Sequence, residues 1–91
     1  CDMAMLVEPE IFERTWKNRG ESRRQLKGVY KPFWSEAISR VKAEYPDFCF
    51  MAEVYWDMEW QLQQAGFDYT YDKRLYDRLR NGDTAGVRAH L

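Results

Sequence analysis

Hydrophobic positions along the chain switch repeatedly between two periods, and that alternation predicts an α/β arrangement. Residues 2–7 are short and apolar, as the end of a buried strand would be. Residues 8–16 follow with Phe12 and Trp16 four apart, a helical spacing, and Pro9 is tolerated in a first turn. The clearest helix covers residues 32–45, where Trp34, Ala37, Ile38, Val41 and Tyr45 form one stripe and Pro46 stops it. Phe48, Cys49, Phe50, Met51, Ala52 and Val54 then make a run that is apolar on both faces around a single carboxylate, Glu53. Such a run predicts a strand buried on both sides, as parallel strands covered by helices are. Asp57 is positioned to cap a helix bearing Met58, Leu62 and Ala65, ended by Gly66. Residues 67–71 read as a third strand. Leu75, Tyr76 and Leu79 mark a further helix closed by Asn81 and Gly82, and Asp83 or Thr84 starts the last one.

The order strand, helix, strand, helix, strand, helix implies parallel neighbours joined by crossovers. A doubly wound sheet and a piece of a (β/α)8 barrel both fit. No GxGxxG or P-loop glycine pattern follows any strand, which disfavours a nucleotide-binding sheet. Both ends of the pattern read as cut, since Cys1 and Asp2 open inside an apolar run and residues 87–91 stop inside a helical one. The expected unit is a single partial domain over residues 1–91.

Composition narrows the partners. The 91 residues are 45% hydrophobic and 32% charged with a net charge of -1, which argues against a nucleic-acid or anionic-membrane surface for the whole chain. No apolar run approaches the roughly 20 residues that span a bilayer. Residues 17–31 hold six basic side chains and one acid, Glu21, and read as a solvated loop, with a patch for an anionic partner as the sharper alternative. Cys1 and Cys49 do not form a disulfide framework: by strand parity Cys49 shares a face with Glu53, whereas Cys1 faces away from its neighbour Asp2. Both are expected to be free thiols.

Glu53 carries the chemical signal. It stands at the end of an apolar strand, where parallel folds place their sites, and apolar walls would raise its pKa as a general acid requires. The bland alternative is a helix cap or the partner of a structural Arg. Asp2 occupies a similar strand end, and neighbouring parallel strands bring such carboxylates together. Two carboxyls in different environments suit glycoside hydrolysis, one ionised to attack and one protonated to donate. A Mg²⁺ site is the competing use of such a pair, but it needs a third ligand that is not evident. Tyr55, Trp56 and Trp60 could stack on sugar rings; packing against the sheet is the expected use of Trp60, and the site assignment is confined to Tyr55 and Trp56. Asp57 is expected to cap, Asp68, Asp72 and Asp77 to be solvated or ion-paired, and His90 has no assigned role.

The stretch Cys1-Asp2-Met3-Ala4-Met5 resembles the second conserved stretch of the α-amylase family, glycoside hydrolase family 13, where the nucleophilic Asp ends the fourth barrel strand. Phe50-Met51-Ala52-Glu53-Val54-Tyr55 resembles the third stretch, where the general acid ends the fifth strand. Phe67 to Lys73 with Leu75-Tyr76-Asp77 is similar to the sixth-strand region of some bacterial members, and the intervening helix agrees in order and spacing. The resemblance covers nearly the whole chain. It implies a βαβαβα segment of a (β/α)8 barrel, with Asp2 as nucleophile, Glu53 as acid and base, and roughly 5–5.5 Å between their carboxyl groups. The implied activity is retaining hydrolysis of α-1,4-glucosidic bonds in starch or maltooligosaccharides. A transglycosylase and a noncatalytic association or glucan-binding module are the alternatives. The family's Arg before the nucleophile and its third carboxylate fall outside residues 1–91, so the chain is expected to be inactive alone. Where many members carry Lys-His, Met5 and Leu6 stand here. The resemblance implies no cofactor or metal in this segment, any calcium belonging to the parent enzyme. It also implies self-association or contact with the remainder of the barrel.

Overall fold

The computed structural model describes residues 1–16 and 32–91; the basic stretch 17–31 lies outside the described residues. A short 3-10 helix, Ala4–Val7, is followed by α1 (Pro9–Trp16), α2 (Phe33–Glu44), β1 (Met51–Ala52), α3 (Glu59–Gln64), β2 (Tyr69–Thr70), α4 (Lys73–Arg80) and α5 (Thr84–His90). β1 and β2 pair in parallel, Met51 opposite Tyr69 and Ala52 opposite Thr70. The carbonyls of Phe50 and Ala52 face β2, accepting from Tyr69 N at 3.2 Å and Tyr71 N at 2.8 Å. On the other edge, Cys1 N donates to Met51 O at 2.8 Å and Glu53 N donates to Cys1 O at 2.9 Å. One residue bonded to positions on either side of its partner is the parallel pattern. The start of the chain therefore runs beside β1 in the same direction.

Regular strand is shorter than the apolar runs, because side chains take over part of the ladder. Asp68 Oδ2 accepts the Phe50 N–H at 2.8 Å, and Asp68 Oδ1 accepts from Lys42 Nζ at 2.5 Å. One carboxylate thus ties α2, the approach to β1 and the approach to β2.

Burial corrects the expectation of a strand covered on both sides. Phe50, Ala52 and Val54 are buried, whereas Cys49 and Met51 are exposed, Met51 by 57%. Among the described residues, the helices cover one face of the sheet only. That face joins Ala4, Met5, Ile11, Ile38, Met58, Leu62 and Phe67 in one core, with Trp34, Val41 and Tyr55 packed at its margin. Phe67 stands edge-on to Trp34 at 4.8 Å and to Phe50 at 6.2 Å. On the bare face Tyr69 is 59% exposed beside Met51.

Helix limits follow local chemistry. α2 ends one residue before the expected Tyr45, whose N–H closes on Val41 O at 2.8 Å and whose ring lies in solvent rather than in the stripe. Gly66, at φ 112, turns the chain after α3, a conformation that a Cβ would strain. Asp72 and Asp83 cap α4 and α5 by accepting from Leu75 N and Gly86 N. The expected cap at Asp57 is absent. Met58 holds the cap position of α3, and the Asp57 carboxylate instead meets Arg74 Nη2 at 2.6 Å. Trp60 is likewise not packed on the sheet but 70% exposed, because the buried side of α3 is centred on Leu62.

Candidate active site

Parallel pairing and strand parity bring Asp2 and Glu53 together at the same ends of adjacent segments. Cys1 lies level with Ala52, so Asp2 lies level with Glu53 and on its face. Immediately afterwards Met3 adopts φ 44, and this left-handed bend turns its N–H onto Glu53 Oε2 at 3.3 Å. The Asp2 carboxyl is near enough to that of Glu53 for each to shift the other. Ala4 N then donates to Glu53 O at 2.9 Å, and Trp34 Nε1 donates to Ala4 O at 2.7 Å. Helix α2 thereby secures the turn that follows Asp2.

Tyr55 shares the face of Glu53, two residues on, and its hydroxyl donates to Glu53 Oε1. Trp56 and Asp57 follow at φ 61 and φ 62, a double left-handed turn that leads into α3. The Trp56 ring is 60% exposed and takes no part in the hydrogen bonds that join Asp2, Glu53 and Tyr55 among the described residues.

The electrostatics run against the expectation of a Glu53 raised by apolar walls. Glu53 is half-buried and is pulled below the ordinary carboxylate value by the Tyr55 hydroxyl first, then by hydrogen bonds from Asp2 and from Met3 N–H. Asp2 is pushed up, first by its hydrogen bond with Glu53 and then by the like charge there. The Tyr55 phenol, which donates to a carboxylate, is pushed up to about 12.

The described residues contain no group of His, Cys, Asp and Glu that could hold a metal ion, and both cysteines are free and exposed. No family model, no curated protein and no solved structure matches the chain.

Two polar arrangements escaped the reading of the sequence. The hydroxyl bond from Tyr55 to Glu53 was foreseeable from their shared parity, although Tyr55 was assigned to sugar stacking. The second is remote from the pair. His90, given no role, is hydrogen-bonded at 2.6 Å through both ring nitrogens: Nε2 donates to Asp72 Oδ2 and Nδ1 accepts from Arg78 Nη1. Asp68 and Asp77 are ion-paired with Lys42 and Lys73.

Proposed function

We propose that Asp2 and Glu53 are the nucleophile and the acid–base of a retaining α-glucan-active glycoside hydrolase, in which this chain supplies a βαβαβα part of a (β/α)8 barrel. The observation that carries the reading is the meeting of the two carboxyls at the same end of adjacent parallel segments, as the resemblance to the α-amylase family requires. In the reaction, Asp2 attacks the anomeric carbon of an α-1,4-linked glucosyl unit while Glu53 gives its proton to the departing glycosidic oxygen. Glu53 then takes a proton from water, which cleaves the Asp2 ester with net retention. Transfer to a sugar acceptor uses the same ester and differs only in what replaces water. Trp56, exposed beside the pair, offers an apolar face for a pyranose ring.

Asp2 pushed up and Glu53 pulled down run opposite to the loaded state, in which Asp2 is ionised and Glu53 protonated. A cation beside Asp2 and a substrate oxygen near Glu53 would exchange the two, and separating the carboxyls by a sugar ring removes the hydrogen bond that raises Asp2. The downward pull on Glu53, opposite to what a general acid requires, favours a second reading for the 91-residue chain on its own, a noncatalytic module that folds and associates or binds glucan.

Hydrolysis of a chromogenic maltooligosaccharide distinguishes these readings. The 91 residues alone are expected to give no measurable turnover, because charge stabilisation and sugar positioning rest on further barrel strands. A longer protein containing them should turn over and lose nearly all activity in Glu53→Gln. Inactivity of that longer protein with Asp2 and Glu53 intact would refute the assignment. Turnover by the 91 residues that vanishes in Asp2→Asn would show a smaller catalytic unit.

A further inference from the structure

The two oxygens of Glu53 have different partners. Oε1 receives the Tyr55 hydroxyl, whereas Oε2 receives the Met3 N–H at 3.3 Å, a long contact for an amide donor. We propose, resting on the glycosidase reading of this pair, that Tyr55 is a positioning residue whose hydroxyl reserves Oε1 of Glu53 as an acceptor and leaves Oε2 as the oxygen that carries the transferable proton. The ring that would have stacked on sugar is here committed to the acid.

Two features support this role. Tyr55 is half-buried at the margin of the core, so its ring direction is set by packing rather than by solvent. With the phenol pushed up to about 12, the hydroxyl remains a donor throughout the neutral range. While Glu53 is charged, a donor that does not ionise there keeps Oε1 occupied as an acceptor. The oxygen open to an incoming proton is then Oε2, on the side of the Met3 turn. Choosing one oxygen matters because proton donation to a glycosidic oxygen depends on the lone-pair direction of the donor carboxyl.

Carboxyl-carbon NMR titration of the 91-residue chain, with Glu and Asp labelled, tests the role without requiring turnover. Tyr55→Phe keeps the ring and deletes the hydroxyl. The expected result is an upward shift of the Glu53 midpoint and a downward shift of the Asp2 midpoint, the amide spectrum elsewhere being unchanged. Unmoved midpoints in a folded Tyr55→Phe chain overturn the proposal. If that variant does not fold, 3-fluorotyrosine at position 55 gives a more acidic, stronger donor that should lower the Glu53 midpoint further, and an unmoved midpoint again overturns it. Titration unchanged in Tyr55→Phe, together with maltooligosaccharide binding lost in Tyr55→Ala, would return Tyr55 to a stacking role. Inactivity of the longer protein would defeat the glycosidase reading without moving these midpoints, so the two failures are separable.

Discussion

Leu62→Ala tests whether the one-sided core described above is a real, close-packed core. Leu62 is fully buried in the same cluster as Ala52, Val54, Met58 and Phe67. Truncation removes three carbons, and at about 0.8 kcal/mol each the lost transfer energy is about 2.4 kcal/mol. The cavity left behind raises the expected loss to about 3–4 kcal/mol, since helix and sheet cannot close fully around it. Against a total stability of about 5 kcal/mol for so small a domain, that is most of what holds it folded. Leu79, on α4 and 61% exposed, is the internal control, and its replacement by Ala should cost under about 0.5 kcal/mol. Urea titration followed by far-ultraviolet circular dichroism reads both. With a slope of about 1.5 kcal/mol per molar, Leu62→Ala should lower the midpoint by about 2 M and Leu79→Ala by less than about 0.4 M. Equal shifts in the two variants, or a Leu62→Ala shift below about 0.5 M, would show that the buried cluster is loosely packed and that this account of the fold is wrong.

Asp68 should make stability fall in acid. Its carboxyl is held below the ordinary value of 3.8 by Lys42 first and then by the Phe50 N–H. A depressed folded pKa stabilises the fold above 3.8 and that contribution is lost as pH falls through the folded value, so Asp68→Asn should flatten the acid limb of a melting-temperature profile and an unchanged limb would contradict it. His90→Ala removes the contacts to Asp72 and Arg78 that join α5 to α4; hydrogen exchange over residues 84–90 should accelerate, with a loss of about 1 kcal/mol, while β1 stays protected. The bare face with Met51 and Tyr69 and the open edge of β2 should drive self-association, visible as a sedimentation coefficient that rises with concentration, and a compact monomer at high concentration would count against it.

The alternation of periods anticipated the helices α2 to α4, because each of these carries its own stop: Pro46 after α2, Gly66 after α3, Gly82 after α4. It failed at residues 4–7, read as the end of a strand, which form a 3-10 helix instead. Parity was sufficient to bring Asp2 and Glu53 to one face, since a side chain's face depends only on its place in the strand. What covers the opposite face is a different matter. Cys49 and Met51 are apolar whether or not another layer meets them, so the pattern reads as buried where the structure leaves it open. Polar partnerships were the least legible. Asp57 has the composition of a cap, but its left-handed φ of 62 sends the carboxylate to Arg74, across 17 positions that no local rule connects. The downward pull on Glu53 comes first from one hydroxyl, and a phenol two residues away reads equally well as a sugar platform or a hydrogen-bond donor.

The double left-handed turn at Trp56 and Asp57 has an evolutionary cost. Asp accepts such a conformation, but a bulky aromatic does so at about 1–2 kcal/mol. Trp56 recovers little of that through burial, being 60% exposed. In laboratory evolution under selection for heat resistance alone, position 56 should therefore drift early toward Gly or Asn, each better suited to φ 61. Under selection for activity on glucan, the indole should persist. The two selections would diverge at a residue that lies outside the hydrogen-bonded group around Glu53, and their divergence would measure what the exposed ring is worth to the protein.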